Sequence, residues 1–266
     1  MSAISARLNL EMHSFDFKNA FLNAKLKEPE CLLPPKEFGM LSGDPDLGGG
    51  KFILRVVKAI HGMTQCSLEW SNTLAKAIEG FEYEGVKMKR LLTDRCVWAW
   101  RDKGGHIMMT GTHVDDTLIC TNHIPLREAF IEHIRGHFPI QDYERVSCFL
   151  GVGFAQDESK GTVVLDQRGA VEALLQELDV NHTCHRKIPL PPGVKMLPYE
   201  GECTDAFRKK HQSKVAKCVY LQGCDPSTCQ AVSKLASVAS NPSSEHMKLL
   251  SNYLLPCLGK HVADRG

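Results

Sequence analysis

The stretch Thr112-His113-Val114-Asp115-Asp116-Thr117-Leu118-Ile119-Cys120 sets two adjacent carboxylates between apolar runs, Ile107-Met108-Met109 before and Leu118-Ile119-Cys120 after. This pattern predicts a β-hairpin carrying its acids at the tip. Neighbouring side chains on a regular strand point to opposite faces, so Asp115 and Asp116 act on one ligand only if the chain turns at them. Two like charges that close repel, and one takes up a proton unless a cation sits nearby. A divalent metal removes that conflict. Asp-Asp is also ordinary turn chemistry. The stretch alone leaves both readings open, and a further carboxylate elsewhere has to decide.

Phe15-Asp16-Phe17-Lys18-Asn19-Ala20-Phe21-Leu22-Asn23 supplies one. With residues 13–17 as a strand, Phe15 and Phe17 bury one face and Asp16 projects from the other. Together the two segments resemble the reverse transcriptases of copia-type retrotransposons. In that family the first motif runs Asp-x-Lys-x-Ala-Phe-Leu-Asn, and the second places Val-Asp-Asp between an aromatic or His and apolar residues. Between them the family carries Ala-Leu-Tyr-Gly-Leu-Lys-Gln and then Trp. Here stands Ala59-Ile60-His61-Gly62-Met63-Thr64-Gln65-Cys66-Ser67-Leu68-Glu69-Trp70. Phe149-Leu150-Gly151-Val152, Leu165-Asp166-Gln167, Pro189-Leu190-Pro191-Pro192 and Ser240-Asn241-Pro242-Ser243-Ser244-Glu245-His246 continue the match. Order and spacing agree over nearly the whole chain, which one short motif met by chance does not give.

The resemblance implies an α+β fold: a right-hand polymerase palm of the split βαβ, ferredoxin-like kind, with partial fingers and a helical thumb and connection region. On this reading residues 1–166 are palm with partial fingers, the fingers remnant falling at about 25–51. Residues 167–186 begin the thumb, and 187–266 are linker and helical connection. Two Mg2+ ions, for which Mn2+ can substitute, would be held by Asp16, Asp115 and Asp116 with the backbone carbonyl of Phe17. Phe21 would stack under the incoming sugar and exclude a 2′-hydroxyl. Without the family it reads as a core aromatic. Gln65 would line the nucleotide pocket. The implied partners are an RNA or DNA template-primer, deoxynucleoside triphosphates, and other Pol segments or a second copy of the chain. The alternative is a catalytically inactive remnant that serves as a nucleic-acid-binding or structural protein.

With 266 residues and 43% hydrophobic content the chain can bury a substantial core in one large or two small domains. A net charge of only +1 means that any basic surface is local. The candidate is a lysine stripe, Lys210, Lys214 and Lys217, on one face of a helix. Its other reading is a solvated helix surface. The eleven cysteines are scattered without a Cys-x-x-Cys pair, and no signal peptide or membrane-spanning run is visible. These features predict free thiols in an intracellular compartment, cytoplasmic or nuclear, with no membrane partner. His182, Cys184 and His185 lack a second ligand pair at zinc-finger spacing.

In chain order, Leu8 and Met12 predict a helix over residues 4–12, ahead of the first acid strand. Pro29, Pro34, Pro35 and Gly48-Gly49-Gly50 mark a connection, and residues 51–58 read as a strand. Residues 67–81 read as a helix with Trp70, Leu74, Ile78 and Phe81 along one face. Cys96-Val97-Trp98-Ala99-Trp100 and the Asp102-Lys103-Gly104-Gly105 turn lead into the hairpin as an antiparallel meander. Pro125 opens a helix with Leu126, Phe130, Ile134 and Phe138 four apart. Residues 149–154 and 162–165 form another hairpin, which by resemblance is the primer-gripping one. A helix with Val171, Leu174, Leu175 and Leu178 follows. The chain is then extended through Gly201 and helical after Asp205.

Several positions depart from the family pattern. Thr64 and Leu68 stand where the family has Lys and Arg, removing two cations from a site that handles polyanions. The upstream fingers strands are expected to be missing, as are ribonuclease H acids downstream, and Pro256 interrupts a helical stretch. Triphosphate binding needs cations around the β and γ phosphates as well as magnesium. The 266-residue chain alone is therefore expected to show little or no DNA synthesis on a primed RNA template. Adding an upstream fingers segment from a copia-type relative should recover synthesis. Robust extension by the isolated chain would contradict this.

Overall fold

Strand β1, Glu11–Phe17, is buried along most of its length, and the first unit is built around it. The computed structural model describes residues 1–34, 37, 53–177, 188–223, 225–255 and 257–258. The chain divides into two units, Met1–Leu150 with Phe154–Val164, and Gly151–Gly153 with Leu165–Gly266.

In the first unit helix α1 (Ser2–Leu8) precedes β1. A 3₁₀ turn at Ala20–Asn23, the antiparallel pair β2 (Lys25–Leu32) and β3 (Leu54–Lys58), and helix α2 (Cys66–Glu79) follow. Short strands β4 (Glu82–Tyr83), β5 (Val86–Lys87) and β6 (Lys89–Arg90) lead to β7 (Val97–Arg101), β8 (Ile107–His113) and β9 (Asp116–Thr121). Helix α3 (Ile124–Arg135) and strand β10 (Ile140–Arg145) complete a six-stranded sheet in the order β10-β1-β9-β8-β7-β6. All its pairings are antiparallel.

Both faces of this sheet are covered, and the alternation of side chains assigns each residue its face. Phe15, Phe17, Met108 and Ile119 meet the apolar stripes of the two helices, Trp70, Leu74 and Ile78 from α2 and Leu126, Phe130 and Ile134 from α3. Met12, Met109, Leu118 and Cys120 face the other way. There they meet Leu10 and the partly buried Phe149, Phe154 and Val163. The last three belong to the three-stranded sheet of β11 (Cys148–Phe149), β12 (Val152–Asp157) and β13 (Thr162–Asp166).

Three expectations need correction here. The helix predicted over residues 4–12 ends at Leu8: Asn9 takes φ 48°, a left-handed value that Asn tolerates, and its N–H bonds to the Ser5 carbonyl. Met12 consequently lies in β1, almost fully buried. The α2 helix stops at Glu79, and Phe81 packs from just beyond it. Strand β10 went unread because Ile-Gln-Asp-Tyr-Glu-Arg is too polar to look like sheet. It is an edge strand, where charge is tolerated. Its Asp142 is paired with the buried Arg127 of α3 and lies 3.7 Å from Arg135.

The second unit is helical. Helix α4 (Arg168–Glu177) buries Val171, Leu174 and Leu175. No regular element spans residues 191–203, and α5 (Asp205–Leu221) then starts at Thr204, whose hydroxyl accepts from the Phe207 N–H at 3.3 Å. Helices α6 (Cys229–Ser237) and α7 (Ser244–Leu249) follow, the latter opening on a reciprocal Ser243–His246 capping pair and running into a π-helical turn at Leu250–Leu254. Val215, Cys218, Leu221, Val232, Leu235, Leu250 and Leu254 share one core with α4. The expectations for Pro35, Gly48-Gly49-Gly50, Lys51, Leu178, Pro256 and the His182, Cys184, His185 cluster fall outside the described residues. Cys31, Cys66, Cys96, Cys120, Cys148, Cys203, Cys218 and Cys229 are free thiols. Among the described residues no helix is long and apolar enough to cross a membrane.

His211 on α5 is fully buried with both ring nitrogens unpartnered. Burial, then the nearby His246 and Lys214, push its pKa from 6.5 down to about 4. The folded state thus resists a proton that the unfolded chain accepts. Stability is complete above the ordinary histidine range and drains as pH falls through that range towards about 4. Replacing His211 with Leu should flatten this decline, read as the urea midpoint at neutral pH against about pH 5. An identical loss in both chains would remove His211 as its source.

Candidate active site

The hairpin expected at Asp115-Asp116 is present, and its turn is tight. His113 and Asp116 form the last paired positions of β8 and β9, leaving Val114 and Asp115 as a two-residue loop. Val114 has φ 57°, whereas Asp115 is not among the positive-φ residues. Positive φ at the first loop position alone defines a type II′ turn, whose first position favours glycine. A β-branched residue held in such a sparsely populated region costs about 1–3 kcal/mol, so surrounding contacts must hold it.

Two such contacts are visible. The indole Nε1 of Trp70 donates to the Val114 carbonyl at 2.6 Å, and the Phe17 N–H donates to the Asp115 carbonyl at 3.0 Å. Each is worth about 1 kcal/mol net, so the pair is commensurate with the strain. Trp70, Phe17 and Phe138 meet edge to face with centroids 5.1–5.6 Å apart, which fixes the indole that makes the first contact.

Asp16 and Asp116 are directly opposed across β1 and β9. They occupy the same face as Met12, Leu118 and Cys120, at the end of that apolar patch. Facing residues in an antiparallel pair hold their Cβ atoms about 4.5–5.5 Å apart. The carboxylates predicted to converge, about a hundred residues apart in sequence, thus meet by register, with Asp115 exposed in the adjoining turn. Partial burial, then the charges of Asp115 and Asp116, raise the pKa of Asp16. Burial and then Asp115 raise that of Asp116, partly offset by His113. Among the described residues no three His, Cys, Asp or Glu side chains stand as a ready-made metal cage.

The remaining sequence-derived residues fall in different settings. Phe17 is buried in the helix-side core, its backbone beside the turn. Phe21 lies in the 3₁₀ turn after β1, half-buried, its ring 5.5 Å from that of His61. Gln65 sits just ahead of α2, half-buried, and its amide donates to Glu30 rather than to the aspartates. Leu68, where the family has Arg, is 62% exposed.

The lysine stripe is not the open surface that the sequence suggested. Lys210 is exposed, but Lys214 is only 9% exposed, and Lys217 is paired with Glu177 of α4. Burial, then Lys210, lowers the Lys214 pKa. Helical spacing did place the three on one side of α5, but only Lys210 is open to water there, with Lys214 buried and Lys217 held by α4. What sequence reasoning missed at the acids was Trp70 as a hydrogen-bond donor to the turn. Its motif spacing marked it, but its N–H direction has no sequence signature.

The sequence pattern of the family described as "Reverse transcriptase (RNA-dependent DNA polymerase)" matches residues 1–192. The retrovirus-related Pol polyprotein from transposon TNT 1-94 of Nicotiana tabacum is 22% identical over 264 residues, covering 95% of this chain and 19% of that protein. The one from transposon RE1 of Arabidopsis thaliana is 23% identical over 247 residues, covering 91% of this chain and 16% of that protein. The chain therefore spans less than a fifth of the length of these relatives. No solved structure matches. With the acid-bearing hairpin, the opposed Asp16 and the family match in agreement, the chain belongs to the reverse transcriptase (RNA-dependent DNA polymerase) family.

Proposed function

We propose that this chain is the polymerase core of a copia-type retrotransposon reverse transcriptase, adding deoxynucleotides to a primer 3′-hydroxyl on an RNA or DNA template. The observation that carries the proposal is the cross-strand facing of Asp16 and Asp116 beside the Asp115 turn. On this reading Met1–Leu150 with Phe154–Val164 is palm with partial fingers, and the helical unit begins the thumb and connection.

The donor set suits magnesium. It consists of carboxylate oxygens, two of them raised in pKa by burial and mutual repulsion, which a divalent cation relieves. Magnesium keeps several waters and shares substrate phosphates, so it does not require a closed protein cage. Asp16, Asp115 and Asp116 would hold it, with the Phe17 carbonyl contributing. When bound, two such ions, or Mn2+ in their place, supply Lewis-acid activation of the 3′-hydroxyl and neutralisation of the leaving pyrophosphate. The chain's own part is to hold the three acids together, to place the Phe21 ring under the sugar as a barrier to a 2′-hydroxyl, and to line the nucleotide site with Gln65. A second reading, an inactive remnant, draws on the exposed Leu68 at the family's Arg position.

Primer extension with magnesium, by the chain alone or joined to an upstream fingers segment, separates the two. Asp16→Asn, Asp115→Asn and Asp116→Asn should each lower extension by at least about a hundredfold. Extension unchanged by all three would reject the carboxylate site, and none by the joined chain would favour the remnant. A stability readout accompanies this. The folded-state pKa of Asp16 lies above its ordinary value, so its ionisation weakens the fold as pH rises through the carboxylate range. Removing the Asp115 charge should therefore raise the metal-free unfolding midpoint at neutral pH and leave it unchanged in acid. A lower midpoint at neutral pH would show that the cluster is not under repulsion.

A further inference from the structure

Trp70 is 2% exposed and packs edge to face against Phe17 and Phe138. Packing would be served equally by any large aromatic ring. The feature that packing leaves unexplained is the direction of its N–H, which donates at 2.6 Å to the Val114 carbonyl. That carbonyl belongs to the central peptide of the turn, the unit linking Val114 to Asp115. Type I′ and type II′ turns share positive φ at the first loop residue. They differ by a flip of this one peptide, which moves the second loop residue between positive and negative φ. The second loop residue here is Asp115.

We propose that Trp70 is a positioning residue: its indole N–H selects the type II′ orientation of the Val114–Asp115 peptide and so sets the direction in which the Asp115 carboxylate leaves the backbone. The proposal rests on the carboxylate reading above and extends it to the residue that keeps the acids in register. Three observations support it. Val114 is β-branched at the position where a type II′ turn favours glycine, so the local chain does not choose this conformation by itself. The Asp115 carbonyl on the far side of the same residue is held by the Phe17 N–H at 3.0 Å, so a flipped peptide would strain that second bond. Phe17 in turn lies against the Trp70 ring, 5.1 Å between centroids. The aromatic contact, the two hydrogen bonds and the turn thus form one closed circuit through Trp70, Val114, Asp115 and Phe17.

Losing the donor would leave the turn divided between two peptide orientations. Apparent metal affinity would then fall by the fraction of chains that leave the competent one. The test uses Mn2+ binding to the 266-residue chain, followed by electron paramagnetic resonance, and amide hydrogen exchange at Phe17. Trp70→Phe should weaken Mn2+ binding about fivefold, the loss of one net hydrogen bond, and speed exchange at Phe17. An isosteric benzothiophene side chain at position 70 keeps the ring shape and lacks only the N–H. It should do the same, which covers the case in which phenylalanine disturbs the core. Val114→Gly in the Trp70→Phe background should return affinity to within about twofold of the parent, because glycine at the first loop position favours the type II′ orientation without help from the indole. Rescue of this kind is not expected if Trp70 only fills space. Unchanged Mn2+ affinity without the indole N–H, or failure of the glycine rescue, overturns the positioning role while the acids stand. If Asp16→Asn and Asp115→Asn leave Mn2+ binding unchanged, the carboxylate reading itself falls and takes this role with it.

Discussion

Side chains alternate along a strand, so the pairing of β1 with β9 admits little error. Phe15 and Phe17 point into the helix-side core while Met12 points into the opposite one, and a one-residue slip would exchange these faces. A two-residue slip would preserve the faces but carry Asp16 past its partner, to face Leu118 or run beyond the turn. The register that buries two cores is therefore the same register that brings Asp16 opposite Asp116. Hydrophobic burial, at about 25 cal/mol per Å², thereby sets the geometry of a polar site that contributes none of it.

Local forces at that site work against the fold. The carboxylates repel, their burial raises the cost of ionising them, and Val114 occupies a backbone region where β-branched residues are rarely found. Such strain persists only where surrounding structure over-determines it. Here the determinants are the six-stranded sheet and the aromatic contacts of Phe17, Trp70 and Phe138. A bound divalent cation would offset the carboxylate repulsion.

Much of this was legible in the sequence because alternation and four-residue spacing are direct records of burial. The acid hairpin, the stripes of α2 and α3, and the meander ahead of Asp115 all follow from such patterns. What escaped did so for identifiable reasons. In β10, Asp142 pairs with Arg127 and Arg135, and Arg145 with Glu11 and Glu158, partners that the strand's own residues do not reveal. The first helix was overextended because Met12 fits a helical spacing from Leu8 while actually serving the strand. Lys214 looked like solvent-facing charge because helical spacing says which residues share a side, not what that side meets. The direction of the Trp70 N–H is a property of assembled helix and turn, and no spacing encodes it.

The three aspartates sit at the rim of the sheet, outside both apolar clusters. A copy of this chain drifting without selection on catalysis could exchange any of them for a neutral residue and still fold, with its repulsion reduced. Mutations in the cores enjoy no such freedom. Decay would then begin at the acids and reach the framework last, so a drifting lineage would pass through a long stage of intact, inert folds.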